Sequence, residues 1–305
     1  MTNKWLKVAL MVTAIATGTS IKIDAETVLY VPQDDRPVSL QYTVDTAREA
    51  GMTVLTPPQH LISGKTYQGQ ADQIMAWVEQ NAGRADVMVL STDTLIYGGL
   101  VDSRKHNIPL STLQNRLKRI EGLKARNKNV RIYGFGTVMR SPRASGGGTE
   151  PAYYAEYGPT IFQIAALQDK LDSGSLTQEE TQKLMSLQAS VPVEYLQDWF
   201  DRRQKNMKIN KELIDETRSG VFDYFALGHD DTSQLSQSAL EGRYLNKYSK
   251  DISVEKYGSF PGADQLGLLL MARSRTDVST EKPTFSVIYP LGGGGKTLPG
   301  YEDQT

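Results

Sequence analysis

Three stretches of this 305-residue chain gather the side chains suited to acid–base and anion chemistry. In Gly228-His229-Asp230-Asp231-Thr232-Ser233, two carboxylates stand side by side behind an imidazole. Beyond a strand end the alternation of the pleat lapses, so both can face one hollow. Close carboxylates repel, which raises one pKa and leaves an acid beside a base, the pair that glycosidic cleavage needs. Asp230 and Asp231 are therefore the catalytic candidates, and His229 a ligand-holding one. The competing structural reading is that Asp231, Thr232 or Ser233 caps the next helix. In Asp34-Asp35-Arg36-Pro37, the proline keeps Arg36 extended, which suits a fixed fork of donors. Asp34, Asp35 and Arg36 bind ligand hydroxyls on this reading, or close a rim by a salt bridge. Tyr97-Gly98-Gly99 allows close backbone approach, and Arg104 follows as a clamp. Arg36, Arg104, Arg140 and Arg143 together point to a carboxylate-bearing or otherwise anionic ligand, unless they pair with the nearby aspartates. Tyr153, Tyr154 and Tyr157 are a stacking platform or, more commonly for such clusters, packing.

The elements that must position these residues alternate. Short apolar strands are predicted at 27–31, 52–55, 87–90, 130–135, 222–227 and 285–289, with a weaker one at 253–257. Helices are predicted at 41–50, stopping at Gly51, and at 71–81, 110–126 and 266–272. Such alternation gives parallel strands joined by crossovers, so the class is α/β. A TIM-like barrel, complete or partial, is preferred over a doubly wound open sheet. Either way the loops after the strands share one rim. Residues 139–221 form a helical insertion after the fourth strand, with a capping box at Thr177-Gln178-Glu179-Glu180. Its long helix, 193–217, carries an apolar stripe of Leu196, Trp199, Phe200, Met207, Leu213 and Ile214. Arg202, Arg203, Lys205, Lys208 and Lys211 read as its solvated face.

Composition narrows the function. With 34 basic against 35 acidic residues, the chain lacks the surplus that nucleic acid demands. The absence of cysteine removes thiol chemistry and cysteine zinc sites, and three histidines make a three-histidine metal site improbable. Gly294-Gly295-Lys296-Thr297 fails as a phosphate loop, because position 290 is Pro and Pro299 blocks the helix. No Gly-x-Ser-x-Gly elbow is present. Residues 1–25 have the form of a secretory signal peptide: Lys4 and Lys7, an uncharged apolar run at 8–17, then Ala25. The expected location is secreted, periplasmic or cell-envelope, with no membrane span after cleavage. Outside the cell, nucleotide-driven chemistry is disfavoured, and no cofactor or metal is expected. The mature part, 26–305, reads as a single α/β domain, and its abrupt Gly-rich end predicts a fragment of something longer.

Four motifs together carry a resemblance: Val31-Pro32-Gln33-Asp34-Asp35-Arg36-Pro37-Val38, Leu95-Ile96-Tyr97-Gly98-Gly99-Leu100-Val101-Asp102-Ser103-Arg104, Gly228-His229-Asp230-Asp231-Thr232-Ser233 and Pro261-Gly262-Ala263-Asp264-Gln265. The chain resembles the bacterial domain-of-unknown-function family 4127, whose members are often exported and run longer. The family pattern more usually has Leu at 33 and Glu at 265, so Gln265 denies this chain a carboxylate there. The resemblance adds Asp264 as a ligand-binding candidate, since Gly262-Ala263-Asp264 is similar to an acidic motif of some hexosaminidases; capping the helix from Leu266 is its structural alternative. The leading expectation is an exported glycoside hydrolase-like enzyme acting on N-acetylhexosamine glycans. A divalent-metal hydrolase and a non-catalytic carbohydrate-binding protein are the alternatives. Amino-terminal sequencing of the exported protein is expected to begin near Glu26; an intact Met1 on a cytosolic form would overturn the export reading.

Overall fold

Continuous apolar runs, unlike alternating ones, predict strands covered on both faces. Val28, Leu29, Val31, Val87, Val89 and Leu90 are accordingly all buried. The computed structural model describes residues 26–280 apart from 145, 146 and 232, together with 283, 284 and 286. The expected leader, the late strand at 285–289 and the Gly-rich end fall outside the described residues, apart from residue 286 within that strand.

Six strands form one sheet: β1 (Thr27–Val31), β2 (Thr53–Leu55), β3 (Val87–Ser91), β4 (Arg131–Val138), β5 (Tyr224–His229) and β6 (Tyr257–Pro261). Every pairing is parallel, in the order β2-β1-β3-β4-β5-β6. The helices are α1 (Gln41–Glu49), α2 (Ala71–Asn81), α3 (Thr92–Ile96), α4 (Leu100–Lys105), α5 (Leu110–Arg126), α6 (Tyr154–Asp172), α7 (Gln178–Ser190), α8 (Val193–Ser219), α9 (Gln237–Tyr248) and α10 (Leu266–Val278).

Because β1 lies between β2 and β3, the direction of winding reverses there, and helices cover both faces. Val28 and Tyr30 face α1 and α10 through Val44, Ala47, Leu266 and Leu270. Their neighbours Leu29 and Val31 face the other way, toward Ile74 and Val78 of α2, Leu113 and Leu117 of α5, and Ile209 and Leu213 of α8. This is the order of doubly wound sheets. Among the described residues β2 and β6 each pair on one side only, so the closure expected of a barrel is not seen among them. Strand–helix alternation is common to both architectures; which face each crossover covers decides between them, and the periodicity does not encode it. The weak strand expected at 253–257 is instead mostly a turn, with Lys256 N–H donating to Ser253 O, and β6 starts at Tyr257.

Between β4 and β5 come α6, α7 and α8, which share a core of Met139, Tyr154, Ile161, Leu184 and Trp199. The capping box forms: Glu180 N–H donates to Thr177 Oγ1 at 3.1 Å, and Thr177 N–H to Glu180 Oε2 at 3.1 Å. Two of the basic residues read as a solvated face are not solvated. Arg202 and Arg203 are 2 % and 1 % exposed, because α8 is packed on both sides of its polar stripe.

Phe225 of β5 is fully buried, its ring 5.1 Å from that of Phe222 and 6.5 Å from that of Tyr257. Phe225→Ala is expected to lower stability by about 3–5 kcal/mol, seen as a reduced urea midpoint at unchanged slope.

Candidate functional site

In parallel α/β sheets, ligands sit beyond the carboxyl ends of the strands, where the order reverses. The loops leaving β1, β4, β5 and β6, together with α4, enclose a cavity of about 290 Å³ at that edge. Its walls include Asp34, Arg36, Arg104, Arg140, Asp230 and Asp264, with Lys65, Leu100, Val101 and Thr149. Six of the residues named from the sequence therefore meet around one hollow.

Arg36 ties two of the loops together. Its Nε donates to Asp34 Oδ2 at 2.8 Å and its Nη2 to Asp264 Oδ1 at 2.8 Å, while its backbone N–H meets Asp34 Oδ1 at 3.2 Å. Burial raises the Asp34 pKa above the ordinary carboxylate value, and the Arg36 charge only partly opposes this. Arg104, almost fully buried on α4, donates from Nη2 to Asp230 Oδ2 at 2.5 Å. Burial pushes the Arg104 pKa down; Asp230 opposes that, and the neighbouring Arg140 adds to it. Arg140 in turn donates to Glu150 Oε1 from Nε at 2.7 Å, and to Thr149 Oγ1 at 2.6 Å.

Four expected site residues lie elsewhere. Asp231 is held by main chain: Ser233 N–H donates to Oδ1 at 3.0 Å and Ser141 N–H to Oδ2 at 3.2 Å, which staples the β5 loop to the β4 loop. It does not line the cavity, so Asp230 and Asp231 do not share one hollow. Capping of α9 falls to Ser236, whose Oγ accepts from Ala239 N–H at 3.1 Å. His229 is still within β5, where the pleat alternation holds, so it follows Phe225 and Leu227 toward α9. Its Nε2 meets Ser259 Oγ at 2.7 Å, its ring fills the space where Gly242 lacks a side chain, and burial lowers its pKa. Asp35 accepts from the Tyr67 hydroxyl, outside the cavity lining. Tyr97 stacks on His106 with ring centroids 4.9 Å apart and lines a second cavity, of about 470 Å³, with Gln68, Gly69, Asp102 and Lys105. Arg143 stacks over Phe162, and Tyr153 on Tyr195, which is the packing reading of that insertion.

The two cavities share their partition. Leu100, Val101 and Arg104 of α4 face the smaller one, Asp102 and Lys105 the larger; Lys65 faces the smaller, Gln68 and Gly69 the larger. Gly98 adopts φ 115°, open only to glycine in practice, and a Cβ on Gly69 would stand 2.0 Å from Gly98 O. Main chain touches main chain there.

Sequence reasoning passed over several residues that build the site. Asp93, at the start of α3, is buried under the cavity rim. Its Oδ2 accepts from Thr137 Oγ1 at 2.6 Å and from Gln33 Nε2 at 3.3 Å, joining the loop after β1 to the end of β4. Burial raises its pKa to about 6, and the charge of Asp230 adds to that. The signal was present in Ser91-Thr92-Asp93-Thr94, a polar run straight after the apolar stretch 87–90. Arg203 pairs with Glu241 (Nε to Oε1, 2.7 Å) and donates to the carbonyls of Met139 at 2.7 Å and Arg140 at 2.9 Å. Arg202 donates to His106 O at 2.7 Å, and Asn206 to Ser103 O at 2.8 Å, at the carboxyl end of α4. Among the described residues no group of three or more His, Asp or Glu side chains is placed to hold a metal ion.

The fold and its edge cavity define an α/β protein with a six-stranded parallel sheet and a polar, arginine-rich hollow at the switch in winding. The family described as "Protein of unknown function (DUF4127)" matches residues 28–305, and the chain belongs to it. No curated protein matches the chain. Among the described residues, no helix is long and apolar enough to cross a membrane.

Asp93 supplies a pH signature. Its folded pKa of about 6 exceeds the reference value of 3.8, so the native state holds the proton more tightly. The stabilisation is complete below the reference value and is lost as pH rises through about 6, by about 3 kcal/mol. Asp93→Asn cannot titrate. Between acid and neutral pH, its stability relative to wild type is expected to improve by about that amount in urea unfolding; a constant difference would refute the assignment.

Proposed function

We propose that the chain is an exported glycan-directed hydrolase, working in the smaller cavity with Asp34 and Asp230 as its two carboxylates. The supporting observation is their unequal surroundings within one hollow. Asp34 is biased by burial toward holding a proton, and Asp230 is the ion-pair partner of Arg104. Glycosidic cleavage asks for that division of labour. Asp34 gives its proton to the leaving oxygen as the glycosidic carbon–oxygen bond breaks. Asp230 takes a proton from the water whose oxygen forms the new bond, and solvent returns it to Asp34. Asp231 keeps the β5 loop in place, and Arg36 and Asp264 hold hydroxyls. The Gly262-Ala263-Asp264 resemblance favours an N-acetylated sugar, and the signal-like leader favours a glycan met outside the cytoplasm.

A second reading, a non-catalytic carbohydrate-binding protein, is favoured by one observation: Asp34, Asp230 and Asp264 are all engaged by arginines. The divalent-metal alternative has no donor cluster among the described residues to support it.

A panel of aryl glycosides, with calorimetry on the same sugars, separates the readings. Asp230→Asn is expected to bind the cleaved sugar but to lose about 100-fold or more in kcat. Binding without turnover in the wild type selects the binding protein, and neither binding nor turnover sinks both.

A further inference from the structure

Arg104 is the most deeply buried cation on the smaller cavity, at 3 % exposure. Its Nη2 meets Asp230, while its Nε has no hydrogen-bond partner among the described residues. A buried donor left without an acceptor costs free energy, and Arg140, turned onto the same hollow, adds like-charge repulsion. Lys65 lines the same hollow and, among the described residues, forms no ion pair. Two guanidiniums and an ammonium around one hollow favour an anion between them.

The charge of that anion is limited. Arg36, Arg104 and Arg140 each already face a carboxylate, from Asp34 and Asp264, Asp230, and Glu150 respectively. A dianion would meet repulsion from Asp34, Asp230 and Asp264 on the same walls. A planar single-charged group suits the fork of a guanidinium best. We infer that the cavity receives a carboxylate of its ligand on Arg104 and Arg140, with Lys65 beside them, and that the ligand is an acidic sugar of the uronate kind. The sugar half of this inference rests on the glycan reading above; the carboxylate half rests on the arginines alone.

Calorimetry with D-glucuronate, D-glucose, D-glucose 6-phosphate and lactate tests it. Arg140→Gln and Lys65→Gln lie nearer solvent than Arg104 and remain informative if an Arg104 variant does not fold. Glucuronate is expected to bind about tenfold or more tighter than glucose, with the preference lost in Arg140→Gln, reduced in Lys65→Gln and weakened by salt. Equal binding of glucose and glucuronate overturns the carboxylate subsite and leaves the glycan reading standing. Lactate binding that Arg140→Gln abolishes, with no response to any sugar, keeps the subsite and overturns the glycan reading. Tighter binding of the phosphate overturns the single-charge argument, and no binding of any probe overturns both halves.

Discussion

The geometry of the cavity depends on one buried ion pair that is not part of it. Arg203 and Glu241 are both withdrawn from water, a costly placement that good geometry must offset. The remaining donors of Arg203 reach the carbonyls of Met139 and Arg140, just past β4. All three nitrogens of the guanidinium are thereby engaged, and the main chain that carries Arg140 is fixed from behind. One turn along α8, Asn206 takes up Ser103 O, and Arg202 takes up His106 O. These are carbonyls at the end of α4, where a helix leaves acceptors unmet. The two segments that deliver Arg140 and Arg104 to the hollow therefore hang from one helix, α8.

The ion pairs inside the cavity differ in weight. Arg36 and Asp264 stand 228 positions apart in sequence, but both are about half exposed, and pairs of that kind contribute little. Arg104 and Asp230 are largely shielded, so their attraction is stronger and the cost of leaving either alone is larger. The loop after β6 is held to β5 by main chain, Gly262 N–H donating to His229 O at 2.8 Å, whereas α4 and the loop after β5 are joined by side chains.

Much of this was legible in the sequence, for identifiable reasons. Parallel strands force their following loops onto one edge, so polar residues just past apolar runs converge; Asp34, Arg36, Arg140 and Asp230 follow that rule, while Arg104 is brought in on α4 and Asp264 was marked by the resemblance. His229 departs from it because the strand runs two residues further than the apolar pattern implied, and the pleat still governs its direction. Asp231 departs because a short carboxylate beside a bend finds main-chain N–H groups before it finds a ligand. Arg202 and Arg203 were illegible for another reason. A charged stripe on a helix reads as solvated until another element covers it, and the covering parts here, α4, α9 and the β4 end, are remote in the chain. Strand order was equally hidden, since a crossover carries no mark of the side on which it returns.

The bare contact between Gly69 and Gly98 has an outcome of its own. Gly69 lines the larger hollow, and a side chain at either glycine would force the two loops apart. The wall the two hollows share is α4, where Leu100, Val101 and Arg104 line one chamber and Asp102 and Lys105 the other, so an exchange at one of these positions alters the lining of one chamber only.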